Sequence, residues 1–175
     1  MSAMSKIDGG LRALFKKNVQ GHWTPIESGW SAAGVPDAEY CLPPSDKGMK
    51  GDQGWIEFKD MTRKAIYVRP LQAAWASARS AAGGRTTVAI RDENALVLMP
   101  GVSLRMMIDE AVKRGARIDP RRGIRVGWLA FNVAFLYYRE PTCILTGGPA
   151  CWDWNMVERY LRRSTYYHGK FQSFL

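Results

Sequence analysis

Cysteine and histidine are scarce in this sequence: Cys41, Cys143 and Cys151 lie far apart with no CxxC pair, and His22 and His168 are the only histidines. A structural zinc site has too few ligands here, and neither histidine has the neighbours of a ligand or a general base. Long apolar runs are missing as well. The greasiest stretch, Val126 to Tyr138, is broken by Gly127 and Asn132 and falls below the ~20 residues that span a bilayer. The opening MSAMSKIDGGLRALFKK has no apolar core of signal-peptide length, so the expectation is a cytoplasmic protein with free thiols. Acidic charge is the remaining shortage: 16 Asp and Glu stand against 25 Lys and Arg, a net charge of +9. That balance favours a polyanionic partner, nucleic acid first and an anionic membrane surface second.

What is present is enough for one folded domain. The 175 residues are 46% hydrophobic, with seven Trp and six Phe, so apolar burial can oppose chain entropy and general disorder is ruled out. Charge is uneven along the chain, with twelve Lys and Arg against six Asp and Glu from residue 103 on, and thirteen against ten before it. The reading divides the chain into a core, 1–115, and a basic, aromatic C-terminal extension, 116–175, packed on that core or forming a dimer seam.

Hydrophobic spacing supplies the elements. Leu11, Leu14, Phe15 and Val19 recur at helical intervals within 7–20, with Arg12, Lys16 and Lys17 on the other faces. Residues 24–29 read as a short extended piece, and 34–37 as a turn into a strand over 38–42. A basic loop carrying Pro43, Pro44, Lys47 and Lys50 leads to a strand over 54–59, and 65–68 extends the structure after a basic link. Pro70 opens a helix over 71–82 with Leu71, Ala74, Trp75 and Ala78 on one side, stopped by Gly83-Gly84. Strands over 86–90 and 95–99 flank a hairpin turn. Ser103 reads as the N-cap of a helix to Lys113 with Leu104, Met107, Ile108, Ala111 and Val112 inward. Asp153 to Arg163 reads as a helix with Met156, Val157, Tyr160 and Leu161 on a shared face.

The chemistry concentrates in one region. In a strand, Glu57 and Lys59 share a face while Phe58 turns into the opposite core. If the strand starting at Asp37 lies alongside, Asp37 and Glu57 together offer hard oxygen ligands to Mg2+, completed by a backbone carbonyl, that of Phe58, and waters. Lys59 then stands beside the attacking water, orients it and counters charge developing on phosphorus.

Pro36-Asp37 followed by Glu57-x-Lys59 resembles the PD-(D/E)xK nuclease superfamily. The order of Glu27, Gly34-Val-Pro-Asp37, Trp55-Ile-Glu-Phe-Lys59, Gln72-Ala-Ala-Trp75, Gly83-Gly84 and Val88-Ala-Ile-Arg91 is similar to its VRR-NUC and Holliday-junction-resolvase-like branch, small phage-encoded members included. The resemblance covers roughly residues 7–100. It implies an α/β fold with a restriction-endonuclease-like core, a mixed central sheet flanked by helices. It also implies metal ligands at Asp37 and Glu57, a catalytic lysine at Lys59, an additional acid and metal ligand at Glu27, and a helix glutamine at Gln72. The cofactor would be Mg2+ with Mn2+ as substitute, the partner branched DNA, and the assembly a homodimer in the cytoplasm, a phage host's included, with no membrane partner and no nucleotide cofactor.

Two features set this chain apart from the family pattern. The loop between Asp37 and Glu57 is long and basic, and nothing after about residue 115 has a family counterpart, so substrate geometry does not transfer.

Plainer readings accompany each residue. Glu27 either assists the metal or solvates a turn, and Gln72 either orients the site or caps its helix. Glu39 lies a pleat beyond Asp37 and is a reserve ligand, whereas Asp60 is a bystander. Lys47, Lys50, Arg63, Lys64, Arg69, Arg79, Arg85 and Arg91 are candidates to track DNA phosphates, with solvated surface as the rival. Arg121, Arg122 and Arg125 are a denser group, either a DNA contact or a charged loop. The aromatics of 128–138, with Trp152 and Trp154, are core, dimer seam or a base-stacking platform. The leading function is a Mg2+-dependent DNA endonuclease acting on four-way or other branched DNA. The alternative is a catalytically inert, nuclease-like nucleic-acid-binding or inhibitory module, and a membrane-surface protein leaves the motif unexplained.

Overall fold

In the computed structural model, residues 8–26, 34–47, 49–137 and 142–163 are described. The elements run α1 (Leu11–Asn18), β1 (His22–Pro25), β2 (Ala38–Leu42), β3 (Asp52–Asp60), β4 (Ala65–Val68), α2 (Pro70–Ala81), β5 (Thr86–Asp92), β6 (Ala95–Pro100), α3 (Ser103–Lys113), β7 (Ile118–Asp119), β8 (Gly123–Gly127), α4 (Trp128–Tyr137), β9 (Cys143–Leu145) and α5 (Trp154–Arg163). Six strands form one mixed sheet in the order β1-β2-β3-β5-β6-β9, and β4-β8-β7 form a second, three-stranded sheet. β3 and β5 are the parallel pair, bridged by α2, and the other pairings are antiparallel. The fold is therefore the α/β arrangement expected, a mixed central sheet flanked by helices.

Strand alternation divides the core between the two faces of the large sheet. Tyr40, Ile56, Phe58, Ala89 and Leu98 meet α1 and α5 on one side. Val88, Ile90, Val97 and Met99 meet α3, α4 and the small sheet on the other. β5, covered on both faces, is buried over its first five residues, as a central parallel strand should be. Phe15 anchors the first side, with its ring edge-on to Phe58, Trp154 and Trp23 at 5.2, 5.5 and 6.1 Å.

Several expectations need correction. In α2 the buried residues are Ala73 and Ala76, while Leu71 is 55% exposed and Ala74 and Ala78 face solvent. An alanine-rich helix has little contrast between its sides, so its few large side chains mislead. β4 lies outside the large sheet and pairs with β8. Ser103 is the first helical residue of α3, fully buried, and Val102 holds the cap position. Val112 and Met156 lie exposed at the rims of their helices. The extended piece expected at 24–29 begins earlier, as β1, and α1 spans less than the periodicity of 7–20 indicated. Trp152 and Trp154 are not strand neighbours; they sit in and after the turn entering α5, both packed into the core. Tyr138 and His168 lie outside the described residues.

The chain beyond residue 115 contributes β8 to the small sheet and β9 to the edge of the large one. α5 returns to the start of the molecule, where the Tyr40 hydroxyl donates to the Leu161 carbonyl at 3.0 Å. Asp52 ties the same corner by pairing with Arg85 and, at 3.0 Å, with Arg162. Partial burial pushes the Asp52 carboxyl up, but the hydrogen bonds and charges of Arg85 and Arg162 outweigh it and hold the group below its ordinary value. A depressed carboxylate contributes stability above its unfolded value and loses it as pH falls toward the folded one. Asp52→Asn should therefore cost about 1 kcal/mol at neutral pH and nothing in strong acid. Urea melts of both proteins at several pH values check this, and a pH-independent difference refutes it.

Candidate active site

The site forms where β2 enters the sheet beside the middle of β3. Ala38 pairs with Ile56, so Asp37, one residue earlier, comes level with Glu57. Asp37 is held from two directions. Its carbonyl accepts the Ile26 N–H at 2.9 Å and its Oδ2 accepts the Phe58 N–H at 2.8 Å. The turn before it packs against the start of α2 at Gly34, whose φ of 95° is left-handed and whose missing side chain would strike the Leu71 carbonyl. Only glycine suits that position.

Alternation along β3 places Glu57 and Lys59 toward α2 and Phe58 into the opposite core. The Lys59 ammonium lies 2.7 Å from Glu57 Oε1. Gln72, on the first turn of α2, joins them: its Nε2 donates to Glu57 Oε1 at 2.5 Å, and its Oε1 accepts from Lys59 Nζ at 3.2 Å. The same Oε1 accepts the Arg69 N–H at 3.1 Å, so Gln72 both caps α2 and orients the site. Asp37, Glu57, Lys59 and Gln72, drawn from three separate stretches of chain, thus meet at one place.

Glu57 is 4% exposed, and its Oε2 has no partner among the described residues. Burial raises its carboxyl above the ordinary value; the Lys59 charge opposes this, and the neighbouring Asp37 charge adds to it. Among the described residues no group of three or more His, Cys, Asp or Glu side chains is placed to hold a metal ion. The carboxylates at hand are Asp37 and Glu57, and Glu27 lies outside the described residues. The unpartnered oxygen of a buried acid beside a second acid nevertheless suits a hard cation.

One residue near the site carried no sequence signal. Arg12, on α1, directs its guanidinium to Asp37 Oδ1 at 3.8 Å. In sequence it is one of several cations on an amphipathic helix, and only the packing of α1 on the sheet selects it.

The remaining candidates divide by location. Glu39 accepts a hydrogen bond from Gln53, and Asp60 Oδ1 holds the Thr62 N–H at 3.0 Å. Lys47 and Lys50 sit in the β2–β3 loop, at the other end of that hairpin from Asp37 and Glu57. Arg79 and Arg85 line an open pocket of about 290 Å³ with Asp52 and Gly84, also at that far end. Lys64 pairs with Glu93 at 3.0 Å, Arg91 Nη1 donates to the Gly9 carbonyl at 2.7 Å, and Arg63 is exposed. Arg69, Arg121, Arg122 and Arg125 lie on or beside the small sheet that leads into α2. The described cysteines are free, and burial, with the Asp153 charge, pushes the Cys143 thiol up to about 11, which disfavours its thiolate at neutral pH.

No protein-family model matches this chain, and no curated protein matches it. Among solved structures, the chain has a distant similarity of fold to Hjc of Archaeoglobus fulgidus, a Holliday junction resolvase from an archaeal hyperthermophile. That alignment has a TM-score of 0.42 and 11% identity and covers 74% of this chain and 92% of the other.

Proposed function

We propose that the protein is a divalent-metal-dependent nuclease that hydrolyses DNA phosphodiesters at the site built by Asp37, Glu57 and Lys59. The observation that carries this reading is the state of Glu57. A buried carboxylate with one bare oxygen, beside a second carboxylate, is costly on its own and is compensated when a cation is shared between the two.

Asp37 and Glu57 would hold Mg2+, with Mn2+ as a substitute, and Glu27 and the Phe58 carbonyl complete the proposed ligand set. When bound, the metal polarises the phosphate and supports charge on the leaving oxygen. Lys59 keeps a fixed cation at the site, which draws in the scissile phosphate, orients the attacking water and counters negative charge as it grows on phosphorus. Gln72 donates to Glu57 and accepts from Lys59, locking both side chains in place before substrate arrives. Asp37 is kept from swinging away by the Phe58 N–H and the Arg12 guanidinium.

The charge of +9 suits a polyanionic substrate. The PD-(D/E)xK resemblance makes branched DNA the first substrate to test, and cutting opposed strands of a junction requires two sites, hence a homodimer. A panel of labelled four-way junction, flap, duplex and single strand, incubated with Mg2+, Mn2+ or EDTA, tests the proposal. Cutting in either metal and none in EDTA is the expected result. No cutting of any substrate, no calorimetric Mn2+ binding and tight salt-sensitive DNA binding would instead establish an inert binding module.

A further inference from the structure

Positive charge on this protein is unevenly neutralised. Arg12 faces Asp37, Lys64 faces Glu93, Arg85 and Arg162 share Asp52, and Arg105 and Arg114 pair with Asp109 and Glu110. Other cations, such as Arg63 and Arg79, also form no salt bridge among the described residues, but Arg69, Arg117, Arg121, Arg122 and Arg125 are gathered by the fold around the one small sheet β4-β8-β7.

Ile66, Val68, Ile124 and Val126 turn into the core, so by alternation their neighbours Tyr67 and Arg125, paired across the strands, take the outer side. Arg122 lies over the Tyr67 ring, 5.5 Å from its centroid. The turn that carries Arg122 is pinned by Asp119, whose Oδ1 accepts the N–H groups of Arg121 and Arg122 at 2.8 and 3.0 Å. The hairpin's acid is thus engaged first by its own backbone, with the Arg122 charge adding to the same effect.

This face adjoins the candidate active site through one residue. Gly123, with a φ of 96°, sits against the Val68 carbonyl and the Arg69 Cα, where a side chain would collide. Arg69 in turn donates its N–H to Gln72, which holds Glu57 and Lys59.

We infer that this face is a nucleic-acid platform: an unpaired base stacks on the Tyr67–Arg122 pair, while Arg69, Arg117 and Arg125 neutralise phosphates of the strand that continues into the site. Cations alone serve any duplex backbone, whereas an aromatic ring with a guanidinium over it offers the flat, cationic π surface that a base released from its stack requires. The inference rests on the nuclease reading for the direction of the strand, but not for the binding itself.

Fluorescence anisotropy of the full chain without divalent metal tests it, with a blunt duplex and the same duplex carrying a single-stranded overhang as probes. The wild type should bind the overhang about tenfold more tightly, a preference that Tyr67→Ala removes and Tyr67→Phe keeps. Arg117→Ala with Arg125→Ala should weaken both probes and lower the salt dependence of binding by about two ions. Tyr67→Ala with its preference intact, an unchanged salt slope in the arginine variant, or binding to phosphatidylserine vesicles in place of DNA would each overturn the platform. Overhang binding in the expected pattern by a protein that cuts no DNA in either Mg2+ or Mn2+ would sink the nuclease reading and leave the platform standing. Cutting by a Tyr67→Ala variant with wild-type preference would do the reverse.

Discussion

Asp37→Asn is expected to lower metal-supported DNA cleavage by about a thousandfold while leaving the fold intact. The substitution keeps an oxygen to accept the Phe58 N–H, so the join between β2 and β3 survives. It removes one of the two charges that would hold the metal and the repulsion that pushes Glu57 up. The effects on stability and on function should therefore separate: melting without metal is unchanged or slightly improved, while the metal response disappears. In the wild type, a ligand that binds only the folded state raises the melting temperature with concentration, and Mg2+ or Mn2+ should do so here. The variant should melt at one temperature whatever the metal concentration. Cleavage at the wild-type rate by Asp37→Asn would remove the site from consideration.

Lys59→Met is expected to reduce cleavage by about a hundredfold or more and, unlike Asp37→Asn, to weaken the protein. The Lys59 side chain is 13% exposed and sits against the Glu57 carboxylate, so its removal leaves a buried acid without its cation. Breaking such a pair costs on the order of 3 kcal/mol, and urea melts without metal should show the loss. Methionine keeps most of the side-chain volume, which sets the charge apart from packing. Because Asp37 and Glu57 remain, the variant should still bind Mn2+ in a calorimeter. A variant with normal cleavage and reduced stability would make Lys59 a structural counter-ion and nothing more.

The elements that matter most to the site were legible in the chain because their signals are local. The alternation in Trp55-Ile-Glu-Phe-Lys59 assigns Glu57 and Lys59 to one side of a strand and Phe58 to the other, as β3 shows. The 38–42 strand, the Pro70 helix start and the hairpin over 86–99 carry equally local marks. The inward face of α2 was misread because its buried residues, Ala73 and Ala76, resemble the exposed alanines around them. The local pattern marks 65–68 as extended but not its partner, because β8 lies more than fifty residues further on.

Composition and short-range pattern alone determined that this is a basic, folded chain of strands and helices, with an acid and a lysine at strand spacing and too few Cys and His for zinc. Those properties depend on residue type and on periods of two and three to four residues, which a sequence displays directly. Tertiary structure decided the rest: that Asp37 comes level with Glu57, that Arg12 turns toward Asp37, and that the Arg122 guanidinium lies over the Tyr67 ring ahead of α2. Each of these pairs residues far apart along the chain, and their proximity is set by sheet register and helix packing, which arise only when the whole core closes.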